Sequence, residues 1–147
     1  MALVDANVLI YAVNTDAPHN ERARTWLDQA LSGSGLVHFD WVALLAFVRL
    51  TTRDGLFPRP LSTGQAFARV DAWLSQPSAL VIHPGPDHAA LMARLLAVTG
   101  AGGNLVNDAH LAALALAHNC PVVSFDHDFA RFPGLVWHSP LVAAPRT

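Results

Sequence analysis

Three aspartates, Asp5, Asp108 and Asp126, border short apolar segments in a way that would bring their carboxylates together. Asp5 ends the run ALVD at residues 2–5, and Asp126 directly follows PVVSF at residues 121–125. Asp108 lies early in the apolar segment that leads into PVVSF. Clustered carboxylates repel one another, and the usual remedy is a hard divalent cation, Mg²⁺ or Mn²⁺, with oxygen ligands. Such a cation polarises a phosphoryl oxygen and activates water, which is the chemistry of phosphodiester hydrolysis.

Each of these acids also has an ordinary structural explanation. An aspartate after a strand is commonly a turn or N-cap residue, and Asp126 and Asp128 could cap the turn at residues 127–130. Asp108 could simply favour the positive end of its helix. The convergence of three acids on one edge is what favours a functional site over three separate caps.

The elements that must position these acids alternate between short apolar strands and helices. The pattern predicts strands at 2–5, 36–39, 79–82, 121–125 and 135–137, and helices at 6–13, 20–32, 41–52, 63–74, 87–98 and 105–118. Asp40 and Asn104 are expected to N-cap the helices that follow them. This alternation indicates an α/β domain, with a short central parallel sheet flanked by helices and ligands bound at the carboxyl ends of its strands. We expect one domain over 1–140 and a C-terminal tail over 141–147.

The composition narrows the class of protein. The chain has 147 residues, 52% of them hydrophobic and only 14% charged, which excludes a disordered protein. Its longest apolar run, residues 41–48, is too short to cross a bilayer. No signal peptide precedes Asp5, and Cys120 is the single cysteine, so a cytoplasmic location is expected, with no membrane partner. The scarcity of charge predicts a protein partner that covers an apolar patch.

The charge balance argues against a broad nucleic-acid-binding surface, and the histidine spacing argues against a zinc site. A net charge of −2 argues against broad, non-specific nucleic-acid binding, although an enzyme can meet nucleic acid at a metal-filled site. The eight histidines lack zinc-ligand spacing, and we expect them at the surface or at a solvent edge. Arg49 is either solvated or a phosphate contact beside the acidic site. Aromatic side chains on apolar helical faces are expected in the core or a dimer interface: Trp41, Phe47, Phe67 and Trp73.

Two segments of the sequence resemble the PIN-domain ribonucleases, and among them the VapC toxins of type II toxin–antitoxin pairs. LVDANVLIYAVN resembles the first-strand motif of that family, and GNLVNDAHLAALALAHNCPVVSFDHDFARFPGL resembles its C-terminal block. The resemblance implies that Asp5, Asp108 and Asp126 are the catalytic, metal-binding acids and that Asp128 is a further one. Asn7 and Ser124 occupy the positions of supporting polar residues.

One position departs from the family pattern. WVALLAFVRLTT resembles the family's third helix, including Arg49, but Ala46 stands where that helix carries a glutamate. Either the site works with aspartates alone, or a nearby acid such as Asp40 substitutes, or activity is impaired. An N-cap role is the favoured interpretation of Asp40.

The resemblance implies a PIN-like fold and a Mg²⁺- or Mn²⁺-dependent endoribonuclease that cleaves structured RNA such as tRNA or rRNA. It also implies a small VapB-like antitoxin as partner and a homodimer. Two alternatives stay open at this point. One is a catalytically weakened module that binds RNA or antitoxin, for which Ala46 is the main support. The other is a phosphatase of the haloacid dehalogenase type, although Asn7 takes the place of that family's second aspartate.

Overall fold

The computed structural model describes residues 1–142 and consists of short strands and longer helices in alternation. The strands are β1 (Ala2–Val4), β2 (Val37–Phe39), β3 (Ala79–Val81), β4 (Val122–Val123) and β5 (Trp137–His138). The helices are α1 (Ala6–Val13), α2 (Asn20–Ser32), α3 (Trp41–Thr52), α4 (Thr63–Leu74), α5 (His88–Thr99) and α6 (Leu105–Ala117). A 3₁₀ turn, His127–Arg131, connects β4 to β5. The expected α/β architecture is therefore confirmed.

The five strands form one parallel sheet in the order β3-β2-β1-β4-β5. Because β1 lies at the centre, the residues that follow β1, β2 and β4 meet at one edge of the sheet. These residues include Asp5 after β1, Asp40 after β2 and Asp126 shortly after β4. The parallel sheet thus brings acids together that are more than a hundred residues apart in sequence.

Two apolar layers bury the sheet. The layer on one face of the sheet comes from α5, α6 and the 3₁₀ turn. The layer on the other face comes from α1, α2, α4 and most of the buried side chains of α3. Helix α6 is buried around most of its circumference, with Ala109, Ala112 and Ala113 each fully inaccessible. Small side chains there let the helix approach the strands closely, which brings Asp108 on its first turns close to the sheet edge.

The predicted helices match closely, while the strands are shorter than predicted. β4 spans two residues instead of the predicted 121–125: the Ser124 N–H still donates to the His138 carbonyl, but the Phe125 N–H donates to the Asn7 side chain. The N-cap expected at Asp40 is present, with its side chain accepting a hydrogen bond from the Ala43 N–H at 3.3 Å. Asn104 occupies the expected N-cap position of α6, but its side chain makes no cap bond, because its Oδ1 accepts a hydrogen bond from Asn107 Nδ2 instead.

Part of the apolar surface lies open on the helices. Trp41, Val42 and Leu45 on α3 are 40%, 41% and 53% exposed, and Val106 on α6 is 45% exposed. Of the aromatic residues predicted for a core or an interface, Phe47 and Trp73 are buried, whereas Trp41 and Phe67 are exposed. No helix within residues 1–142 has the length and apolar character needed to span a bilayer. The domain boundary expected at residue 140 stays a prediction, since the tail lies outside the described residues from position 143 onwards.

Candidate active site

A cleft of about 330 Å³ opens at the carboxyl edge of the sheet, between α1, α3 and α6. Three predicted acids line it, Asp5, Asp108 and Asp126. The remaining lining includes Asn7 from α1, Ala46 and Arg49 from α3, and Asn104 and Asn107 at the start of α6. Asp128 lies beside the cleft, with a side chain that is 50% exposed.

Asp5 is held rigidly at the centre of this edge. It N-caps α1, with Oδ1 accepting the Ala6 N–H at 2.7 Å, and Oδ2 accepts the Ser124 hydroxyl at 2.7 Å. Burial raises the pKa of its carboxyl to about 6, although the hydrogen bonds from Ser124 and Ala6 oppose this shift. Asp5 therefore N-caps α1 through Oδ1 and joins the polar network through Oδ2, so the cap does not prevent a role in the site, which stays a prediction.

Ser124 is fully buried and organises the acids around it. Its hydroxyl donates to Asp5 and accepts the Asp126 N–H at 3.0 Å and an Asn7 Nδ2–H at 3.0 Å. Asn7 Oδ1 in turn accepts the Phe125 N–H at 3.2 Å. These contacts join β1, α1 and the loop after β4 into one polar network, so the two residues predicted to support the acids lie where they can orient carboxylates.

Asp108 is the most perturbed acid of the cleft. Only 2% of the residue is exposed, and Oδ2 has no hydrogen-bond partner. Its Oδ1 makes one long contact, 3.5 Å from the Asn104 Nδ2 donor. Burial raises the pKa of this carboxyl to about 8, and the negative charges of Asp126 and Asp5 add to the effect. A buried carboxylate oxygen without a partner is costly unless a cation compensates it.

The chemistry of the donor set fits a hard divalent cation. Asp108, Asp126 and Asp128 each offer a carboxylate oxygen, and these oxygens lie within 4.8 Å of one another. Asp126 Oδ1 also accepts the Asp128 N–H at 2.9 Å, which fixes the 3₁₀ turn that carries Asp128. An all-oxygen, carboxylate-rich set of this kind suits Mg²⁺ or Mn²⁺ better than zinc.

Asp40 does not enter the cleft beside Ala46, the position where the family pattern has a glutamate. Asp40, the candidate substitute, is 3% exposed and is engaged by the Ala43 N–H and by His110 Nε2 at 3.0 Å. It lies on the neighbouring strand end but outside the lining of the cleft. Within residues 1–142 the acids that line the cleft are therefore all aspartates.

The expectation that the histidines lie at the surface or at a solvent edge is wrong for two of them. His110 is not a surface residue: its side chain is 13% exposed and bridges Asp40 to His88, whose Nε2 lies 2.8 Å from His110 Nδ1. His38 is also buried, with both ring nitrogens lacking partners. His127 is exposed, as predicted for a turn residue, and its ring packs against Trp137.

One further contact in the site has a weak signal in the spacing of its residues. Asn104 and Asp108 are four residues apart and so share a helical face, which predicts a contact between their side chains. The structure has that contact, together with a hydrogen bond from Asn107 Nδ2 to Asn104 Oδ1 at 3.0 Å. Both asparagines line the cleft beside the acids.

Comparisons with known proteins agree with this geometry. The family model described as PIN domain matches residues 2–135. The chain is 55% identical to Ribonuclease VapC37 of Mycobacterium tuberculosis over 140 residues, covering 95% of this chain and 97% of the relative. It is 41% identical to Ribonuclease VapC31 of the same species over 132 residues, covering 90% of this chain and 93% of the relative.

Solved structures share the fold at low sequence identity. One is Mycobacterium tuberculosis VapC20, described as a sarcin–ricin loop cleaving toxin, with a TM-score of 0.71, 19% identity and coverage of 92% of this chain and 97% of that one. Another is VapBC2 of Rickettsia felis bound to a DNA fragment from its promoter, with a TM-score of 0.69, 20% identity and coverage of 94% and 97%. The comparisons favour neither a phosphatase nor a silent binding module.

Proposed function

Because the chain belongs to the PIN-domain family, and within it to the VapC group, we propose that it is a divalent-metal-dependent endoribonuclease. Its role would be that of the toxin in a toxin–antitoxin pair, acting on structured RNA such as tRNA or rRNA in the cytoplasm. The observation that carries the metal dependence is Asp108, a buried carboxylate with an unpartnered oxygen and two further carboxylates beside it.

The proposed metal ligands are Asp108, Asp126 and Asp128, with Asp5 as the fourth acid. Bound there, Mg²⁺ or Mn²⁺ would polarise the scissile phosphate and lower the pKa of the attacking water. Asp5, Asp108 and Asp126 are the proposed catalytic acids. Their contribution is to hold negative charge at a fixed edge of the sheet, where a cation compensates it.

Other side chains of the cleft have positioning roles in this proposal. Ser124 and Asn7 keep Asp5 and Asp126 in one orientation through the hydrogen bonds described above. Arg49 lines the same cleft and is the proposed contact to the RNA phosphate, for which a guanidinium fork is well suited. Ala46 leaves room in the wall of the cleft, and the proposal is that aspartates alone suffice.

The proposed partners are a VapB-like antitoxin and a second copy of the chain. Structural neighbours include VapBC complexes, such as VapBC-1 of Haemophilus influenzae. The exposed apolar side chains on α3 and α6, with Trp41 and Leu45 among them, support the expectation that a protein partner covers part of this surface.

The test is an RNA cleavage assay with purified protein in Mn²⁺ or Mg²⁺. We expect cleavage that EDTA abolishes and that Asp5→Asn or Asp126→Asn reduces at least a hundredfold, about the loss seen when a key electrostatic group is removed. The exposed Asp71 supplies a matched control, and Asp71→Asn should cleave like the unmodified chain. RNA binding without cleavage in either metal would instead favour the silent module, and cleavage that persists in both site variants would refute the site assignment.

A further inference from the structure

Three aromatic rings from different elements meet next to the polar network that borders the acidic cleft, although none of the three residues lines the cleft itself. Tyr11 comes from α1, His19 from the N-cap of α2, and Phe125 from the loop after β4. The His19 and Phe125 rings stack nearly parallel, with centroids 5.0 Å apart and planes inclined by 6°. The Tyr11 ring is tilted against Phe125 at 5.2 Å and against His19 at 6.1 Å. We refer to these three residues as the aromatic cluster.

Phe125 places the aromatic cluster next to the proposed metal site. It stands between Ser124 and Asp126 in the sequence, so its Cα is about 3.8 Å from the Cα of each. The Asn7 side chain accepts its backbone N–H at 3.2 Å, which ties the backbone of Phe125 to the same polar network that orients the acids. A base stacked here therefore belongs to a nucleotide close to the phosphate in the cleft.

The other two rings are also held in place. The Asn20 side chain donates to the carbonyl oxygens of Tyr11 at 2.7 Å and Ala12 at 3.3 Å, and so ties the start of α2 to the end of α1. His19 directly precedes Asn20, and its own carbonyl accepts the first hydrogen bond of α2 from the Ala23 N–H at 2.9 Å. The backbone that carries the aromatic cluster is thus fixed before any ligand binds, which limits the entropy lost on binding.

Two observations indicate a ligand site rather than packing alone. Tyr11 and Phe125 pack on one side against the hydrophobic core, but all three residues are only half-buried, so each keeps part of its surface accessible. In addition, the chain has a net charge of −2, and the cleft is lined by three aspartates and by Arg49, so net positive charge is a weak source of RNA affinity there. Stacking on aromatic rings is the other main source of affinity for unpaired bases.

We propose that the aromatic cluster is a stacking subsite for the base of an unpaired nucleotide that flanks the phosphate in the cleft. This inference rests on the proposed ribonuclease function and makes it more specific. The substrate segment is single-stranded at the cut, because a paired base cannot leave its helix to reach the rings. Stacking tolerates any base, so the subsite selects unpaired structure more than sequence.

The test uses steady-state cleavage of a single-stranded oligoribonucleotide of about 12 nucleotides, within the usual site size for such proteins, in Mn²⁺. Phe125→Leu keeps an apolar side chain but removes the ring, and should raise KM about tenfold, within the range for loss of one base–ring stack. kcat should stay within about twofold, since the acids are unchanged. Phe67→Leu is the matched control, because Phe67 is an exposed ring on α4, a helix that supplies no residue to the cleft or to the aromatic cluster, and it should leave KM unchanged.

An abasic nucleotide next to the cut separates stacking from indirect damage. It should raise KM for the unmodified chain about as much as Phe125→Leu does, and it should add no further loss in that variant. An unchanged KM in Phe125→Leu, or losses that multiply, would overturn the inference. If Phe125→Leu instead lowers the affinity for the antitoxin and leaves KM unchanged, the aromatic cluster is a contact to a protein, and the inference is also overturned.

Two further measurements distinguish a wrong stacking subsite from a variant that does not fold and from a wrong proposed function. If Phe125→Leu fails to fold by circular dichroism, His19→Leu provides the same comparison, since His19 supplies the other stacked ring. If the unmodified chain cuts no RNA, the proposed function is wrong, and fluorescence anisotropy with the same oligoribonucleotide then tests the stacking subsite alone. If it cuts RNA and neither variant raises KM, only the stacking subsite is wrong.

Discussion

Asp108→Asn should stabilise the metal-free protein, although the substitution removes a proposed metal ligand. The folded protein raises the pKa of Asp108 to about 8, whereas the unfolded chain restores the ordinary value of 3.8. Between these two values the folded state holds one proton that the unfolded state has released, so this carboxyl makes folding less favourable as the pH rises. Asparagine has a similar shape and does not titrate, so it avoids this cost.

The size of the effect follows from the linkage. One proton is worth about 1.4 kcal/mol per pH unit, so the stability advantage of Asp108→Asn should grow by about 2 to 3 kcal/mol between pH 5.5 and 7.5. For a chain of this size that corresponds to a growing difference in Tm of about 5 to 11 °C. Asp5 titrates in both proteins, so its contribution largely cancels from the comparison.

The assay is thermal unfolding in EDTA across this pH range, repeated with Mn²⁺. In EDTA the variant should melt higher than the unmodified chain, and Asp71→Asn, an exposed carboxyl, should show no such gain. Mn²⁺ at about a hundred times its Kd should then stabilise the unmodified chain by about 2.7 kcal/mol and the variant much less. Equal Tm values in EDTA at pH 7.5, or equal stabilisation by Mn²⁺, would refute the reasoning that burial and the neighbouring acids make the charged form of Asp108 costly until a cation binds.

Three other substitutions test separate parts of the structure. Ser124→Ala removes the hydroxyl shared by Asp5 and the backbone of Asp126, and should lower RNA cleavage about 10- to 100-fold with the fold retained by circular dichroism; full activity would contradict the orienting role. Burial lowers the pKa of His38, so the unfolded state takes up a proton at this residue before the folded state does, and acid favours unfolding. His38→Leu removes this effect and should lose less stability than the unmodified chain as the pH falls from 6.5 to 5 in urea titrations. Identical pH profiles would contradict this. His110→Ala leaves the carboxylate that it contacts buried with one weak hydrogen bond, and should cost about 1 to 3 kcal/mol in urea unfolding; a loss no larger than that of an exposed-histidine control would show the contact to be unimportant.

The local patterns of the sequence were sufficient for the helices and for the edge where the acids meet. The bounds of α1 and α3 agree with the predicted helices 6–13 and 41–52, because apolar periodicity and N-caps are local signals. Asp5 and Asp126 could be placed on one edge because parallel strands put their carboxyl ends on the same side of a sheet. The metal-ligand set itself came from the family resemblance and stays a prediction.

Other features depend on contacts that no local pattern encodes. Asp40 and His110 are 70 positions apart, and only the packing of α3 against α6 brings them within 3.0 Å. The same reason explains why the aromatic cluster was missed, since Tyr11 and Phe125 belong to opposite ends of the chain. Helical spacing shows which aromatic residues share a face of one helix, but it does not show which rings from different elements meet.

Asp108 Oδ2 is buried without a hydrogen-bond partner, and one structural measurement tests directly the claim that the acids hold the cation required for cleavage. Crystals of the protein soaked in Mn²⁺ should show an anomalous diffraction peak between the carboxylates of Asp108, Asp126 and Asp128, at about 2.0 to 2.3 Å from their oxygens. Crystals of Asp126→Asn, grown and soaked in the same way, should lose most of that peak. A strong Mn²⁺ peak elsewhere in the molecule, with none at these carboxylates, would contradict the account.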